Sequence, residues 1–200
     1  MYNPVMDEIL RAPEPGERAP APTPALRRVQ EFVNTNDIEG ARDALETPEL
    51  LREWLLSRGI RAGQSAVSGE AHRRALAIRE GLRALGRANN GEPLDADAVA
   101  RLNRAAGGAP LVAALGPDGW QLQPAGSDLD AFLAEILATV VAAMADDSWS
   151  RIKACRNDGC RWLFYDHSRN RSGTWCTMAL CGSRMKARAY RARQRETAGA

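Results

Sequence analysis

All four cysteines of this 200-residue chain fall within residues 155–181, as two pairs of the same spacing. Cys155-x4-Cys160 is followed, after fifteen intervening residues, by Cys176-x4-Cys181. The chain opens with Asp7, Glu8 and scattered prolines, which is not the pattern of a secretory signal. Disulfides are therefore not expected, and a cytoplasmic protein is. Clustered cysteines in that compartment hold a metal more often than they pair. Two short-spaced pairs suit one tetrahedral ion, and thiolates favour zinc, with iron as its common substitute during expression. Four thiolates close the coordination shell, so the predicted Zn2+ is structural rather than catalytic. It also supplies folding energy, because about 45 residues make too small a core alone. The competing reading is four unligated buried thiols. No Cys-x-x-Cys-His occurs, which excludes the usual haem attachment.

Charge follows the same division. Residues 151–196 hold 12 Lys+Arg against 3 acids, a balance of +9. The remaining 15 bases and 22 acids give −7 elsewhere. A zinc tetrathiolate carries −2, so neutralising it still leaves about +7. A genome rich in GC explains why 25 of the 27 bases are Arg, but not the asymmetry. The chain reads as a mildly acidic body with a basic end, the charge distribution of a nucleic-acid binder.

Residues 1–24 hold six of the eleven prolines and few large apolar side chains, and read as a disordered tail. Residues 25–148 read as a helical domain. Leu26, Val29 and Val33 share a helical face, with Phe32 beside them. Asn34–Glu39 reads as a loop. Thr47-Pro48 starts a helix with Leu50, Leu51, Trp54 and Leu55 inward, and Gly59 ends it. A long helix from about Val67 to Ala88 turns Ile78, Leu82 and Leu85 to the core, leaves His72 exposed, and stops at Asn90-Gly91. Asp95 caps a shorter helix with Val99, Leu102 and Ala106 inward. Leu111–Leu115 and Trp120–Gln123, joined by Gly116-Pro117-Asp118-Gly119, read as a β-hairpin. Ser127 caps the strongest helix, Asp128 to about Asp146, with Leu129, Phe132, Leu133, Ile136, Val140 and Met144 spaced for burial. The fold class is mainly α: this helical domain with its hairpin, then a small four-cysteine zinc finger over residues 149–195 that ends in a basic helix. The longest apolar-rich stretch, residues 131–145, is too short and too polar to span a membrane.

Within the finger, Trp162–Tyr165 reads as a short packing strand. His167 reads as a surface histidine or phosphate donor rather than a fifth ligand. Ser168, Arg169, Asn170 and Arg171 form a polar loop of residue types that bond phosphates and base edges. After Cys181, Ser183 is placed as an N-cap. The helix it opens carries Arg184, Lys186, Arg188 and Arg191, and the bases at 184, 188, 191 and 195 recur on one face.

These residues resemble the CGNR zinc-finger family. The resemblance rests on Cys155, Cys160, Trp162-Leu163-Phe164, Ser168-Arg169-Asn170-Arg171-Ser172, Trp175-Cys176-Thr177-Met178, and Cys181-Gly182-Ser183-Arg184 with Lys186. It covers residues 150–193. Ser183 stands where the family has its namesake asparagine, and Gly173 where a base is common. The body is more loosely similar to the ABATE domain that precedes such fingers, through Phe32-Val33-Asn34-Thr35, Thr47-Pro48, Leu51, Trp54-Leu55 and Ile78–Arg83. The resemblance implies a bacterial, stress-linked transcription regulator whose zinc supports DNA binding.

The expected function is thus a DNA-binding regulator. The four cysteines hold the finger, the basic loop and helix touch mostly phosphate, and the body senses a small molecule or self-associates, as a homodimer reading paired half-sites would. Asn34, Arg79 and Arg83 are candidates for a polar ligand pocket in the body. The alternative is a zinc-stabilised protein-interaction module without nucleic-acid binding, its bases meeting acids, including those of the body. No nucleophile–base pair, phosphate loop or open metal site points to an enzyme.

Overall fold

The computed structural model describes residues 20–64, 66–117, 119–126 and 128–198. Most of the predicted Pro-rich tail lies outside these residues. Its last part does not hang free: Ala21 is fully buried and its N–H donates to Gln30 Oε1 at 2.7 Å. Thr23 Oγ1 then accepts from Leu26 N at 3.3 Å and Pro24 takes the first turn of α1 (Pro24–Val33).

Asn34–Glu39 is more than a loop. Asn36–Asp37 (β1) pairs antiparallel with Arg42–Asp43 (β2) in a minimal hairpin. Helix α2 (Pro48–Ser57) has the predicted Thr47 cap, with Leu50 N donating to Thr47 Oγ1, and ends before Gly59 at φ +66°. The long helix α3 (Gly69–Asn89) is capped by Ser68, and α4 (Ala96–Ala106) by Asp95. In α4 the buried stripe is Ala98, Leu102 and Ala105, one position off the expected Val99 and Ala106. Leu102 itself packs over Gly81 of α3, so closely that a Cβ there would sit 2.6 Å from it. A short turn of 3-10 helix over Arg61–Gln64 joins α2 to the segment before α3.

His72 is a correction. It is buried, and its Nε2 lies 2.7 Å from Leu45 O, because α3 leans on the segment that follows β2. The predicted hairpin is present as β3 (Leu111–Gly116) and β4 (Gly119–Pro124), with Leu115 opposite Trp120. Helix α5 (Asp128–Ala145) buries Leu129, Phe132, Leu133, Ile136 and Val140, but Met144 is exposed on its last turn. Its expected cap residue, Ser127, lies outside the described residues. The apolar face of α5 is core: Phe132 meets Phe32 and Trp54 with ring centroids 5.6 and 6.0 Å away.

The basic end continues from this body without a gap in packing. A 3-10 turn (Ser148–Arg151) leads into β5 (Ile152–Ala154), which pairs antiparallel with β6 (Leu163–Tyr165). Ile152, Ala154 and Leu163 are fully buried within the same apolar cluster as Ile78, Leu82 and Phe32. Gly86 of α3 permits the contact: a Cβ there would lie 2.9 Å from Leu163 Cδ1 and 3.2 Å from the Ala154 amide. The finger's sheet is therefore part of the body's core. The last helix, α6 (Ser183–Ala198), is polar and exposed throughout its described side chains apart from the half-buried Met185.

Candidate zinc centre and basic face

Cys155 follows β5, and Cys160 lies two residues before Trp162, at the entry to β6. The Cys155 amide donates to Trp162 O at 2.9 Å, which closes the loop between the strands. Within it the Cys160 and Arg161 amides donate to Asn157 O, at 2.8 and 3.1 Å, so the first pair is presented by a tight turn. Cys176 and Cys181 flank Thr177, whose hydroxyl accepts from Leu180 N at 3.1 Å. That bond opens a wide helical turn over Met178–Gly182.

Ser183 is therefore not the N-cap. It has helical dihedrals and its hydroxyl donates to Met178 O at 2.9 Å, so the cap lies earlier in the chain, at Thr177. The serine in the asparagine position stabilises this turn.

The four thiols are buried, and their sulfurs all lie within 4.8 Å of one another. Cys160 Sγ and Cys181 Sγ each lie 3.7 Å from Cys176 Sγ. A Zn–S bond of about 2.3 Å places tetrahedral sulfurs about 3.8 Å apart, so the spacing fits zinc. Electrostatics agrees. Hydrogen bonds from Cys160 and Cys176 hold the Cys155 thiol down at about 2. The same contact with Cys155 pushes Cys160 up to about 12, and Cys176 is pushed up further by Cys155 and Cys160. Four sulfurs this close cannot all be thiolates by themselves; a central dication removes the conflict. The site holds one structural Zn2+. Asn157 Nδ2 donates to Cys181 Sγ at 3.5 Å, and Trp162, Phe164 and Trp175 pack around the sulfurs. His167 is not among the ligands; its ring lies tilted against Tyr165, centroids 4.8 Å apart, and its Nε2 lies 2.9 Å from Pro20 O.

Asp166 builds the loop that carries Ser168–Arg171. It is 3% exposed and accepts from Lys153 Nζ at 2.7 Å, Gly173 N at 2.8 Å and Ser168 N at 3.0 Å. Burial alone would raise its carboxyl, but Lys153, Ser168 and Gly173 outweigh burial and hold it at about 2. A Cβ on residue 173 would lie 2.7 Å from the Asp166 carboxyl carbon, so glycine permits this close approach. Lys153 also donates to the Arg171 and Gly173 carbonyls. Ser168 Oγ accepts from Ser172 N at 3.0 Å, and Arg171 sits at φ +52°. The outcome is a rigid loop that exposes Arg169 and Asn170. Arg171 instead pairs with Asp147 at 2.6 Å and with Ser150 at 2.8 Å.

On α6, Arg184, Lys186, Arg188 and Arg191 are exposed. Arg184 pairs with Glu39 of the β1–β2 turn. Arg161 pairs with Glu92 and Asp158. Arg169, Lys186, Arg188 and Arg195 meet no acid among the described residues.

Asn34, Arg79 and Arg83 are all buried and neighbours, with their donors aimed at the chain itself. Asn34 Nδ2 donates to Leu163 O at 2.8 Å and its Oδ1 accepts from Leu163 N at 2.7 Å. Arg83 donates to Arg161 O at 2.9 Å, Val33 O at 2.6 Å and Glu80 at 2.9 Å. Arg79 grips Asp43 through two bonds, 2.6 and 2.7 Å long. Sequence reading missed the partners that complete this seam. Asn89 Nδ2 bonds Trp149 O and Ile152 O, and Asn90 Nδ2 bonds Ala154 O and Thr174 O. The available signal was the pair of amides at the end of α3, which reads equally well as a helix stop.

Comparison with known families agrees with this geometry. Residues 26–147 match the ABATE family, described as a putative stress-induced transcription regulator. The chain belongs to the ABATE family. Residues 151–194 match the CGNR zinc finger, and this ABATE chain therefore has the two parts in the expected order. No curated protein matches it. Among the described residues no helix is long and apolar enough to cross a membrane.

Proposed function

We propose that this chain is a DNA-binding transcription regulator in which zinc holds a basic face in place and the helical body orients it. The observation that carries the reading is the set of bases left without acidic partners. Arg169 and Asn170 extend from a loop fixed by Asp166, and Lys186, Arg188 and Arg195 line an exposed helix. Such bases neutralise phosphates and position a protein on a duplex. Arg161, Arg171 and Arg184, by contrast, meet acids in the body or loops, which accounts for part of the charge asymmetry.

Body and finger share one core, so the finger's sheet sits on the body rather than trailing on a linker. An effector of the body would act by exchanging the bonds of Asn34, Arg79 and Arg83 that hold β6 and the β1–β2 hairpin. Replacing Arg188 and Arg191 with alanine tests the reading. Binding to duplex DNA should weaken while zinc content and helicity stay constant. Unchanged binding, or none in the parent at low salt, would favour the protein-interaction alternative.

A further inference from the structure

The β3–β4 hairpin presents a face that the rest of the chain leaves open. By the pairing register, Leu111, Ala113, Leu115, Trp120, Leu122 and Pro124 share one side of the ribbon. Leu111, at the base, packs on the body's core. The other five are exposed, Leu115 at 69% and Trp120 at 73%. The hairpin is a two-stranded sheet by itself. Such a ribbon is marginal in water without a further layer. Large aromatic residues bury about 150–250 Å² each, so Trp120 alone exposes roughly 180 Å² and the whole face about 400 Å². A patch of that size matches the largest on a typical soluble protein, and such patches are often functional.

We infer that the occupant is a second copy of this chain, the two hairpins packing face to face across a two-fold axis. The charge pattern singles out this partner. Residues 105–127 contain one charged residue, Asp118, between the two strands in sequence, in a chain that is 26% charged. Near a two-fold axis each side chain meets its own copy, so a charge there would be repelled by itself. A face free of charge is what self-pairing requires, whereas a nucleic acid or an acidic peptide would call for bases. Two stacked ribbons lie about 10 Å apart, a gap that Trp120, Leu115 and Leu122 of both copies can fill. The apolar face supplies about half of the roughly 800 Å² per partner that a standard interface buries, and its rim completes it.

The test is sedimentation equilibrium of the zinc-loaded full chain over a concentration series, with Leu115→Lys, Leu115→Glu and Trp120→Ser. The parent should be a dimer. Each variant should weaken self-association by about thirtyfold or more, the effect of losing an interface anchor. Far-UV circular dichroism and zinc content should not change, because these side chains lie outside the core. Mixing the Lys and Glu variants at position 115 should restore a heterodimer. A parent that stays monomeric at every concentration, or a dimer that survives all three substitutions, overturns the proposal. DNA affinity does not enter this readout, so the regulator reading is tested separately.

Discussion

At the residue scale, the centre depends on four sulfurs and on Asp166. Replacing Cys176 with Ser removes one ligand of a closed shell. The variant should lose its stoichiometric zinc by metal analysis, and the turn over Met178–Gly182 should lose its order with it. Asp166 makes a different contribution. Its folded pKa is depressed from the ordinary 3.8 to about 2. The stability it confers is therefore present above about pH 4 and is lost as pH falls towards 2. At neutral pH, Asp166→Asn should cost about 2–4 kcal/mol in chemical denaturation of the zinc-loaded protein, since it also strands the buried Lys153 ammonium. A cost below about 0.5 kcal/mol would mean that the loop is not built on this carboxylate.

At the element scale, the seam between α3 and the β5–β6 sheet rests on close approach and on amides. Gly→Ala in a helix interior ordinarily adds about 1 kcal/mol. Gly86→Ala should do the opposite, by about 1–3 kcal/mol, because the new methyl meets the Ala154 backbone, which cannot turn away. Asn34→Ala removes the side-chain acceptor of the buried Leu163 N–H and leaves its carbonyl with Gln30 Nε2 as its side-chain donor. It should lower the melting temperature and expose the β6 amides to hydrogen exchange. Helices α2 and α4 were legible in the sequence because their caps are local: Thr47 and Asp95 sit where short-range chemistry puts them. The cysteine ligands were legible for the same reason, as spacing. What escaped was set by tertiary contact. His72 reads as surface until α3 meets Leu45 O, and Asn90 reads as a helix stop until the finger's carbonyls arrive. Ser183 reads as a cap because cap chemistry alone cannot show that Thr177 has already opened the turn.

At the scale of the whole molecule, charge and packing divide the chain differently. Charge separates an acidic body from a basic end, whereas the buried core runs through both. The finger's sheet is thus mounted on α3 and α1, and the basic loop and helix extend from it. Disrupting the seam should then weaken DNA binding even with zinc in place, a coupling that neither part alone would show. The most direct measurement is a salt titration of duplex-DNA binding by zinc-quantified protein, with Cys176→Ser alongside. The account predicts one zinc per chain and affinity falling with a log–log slope near −0.9 per phosphate neutralised, about −4 for the bases left unpaired, with binding lost in the variant. Zinc-loaded, folded protein that fails to bind DNA even at low salt would contradict it.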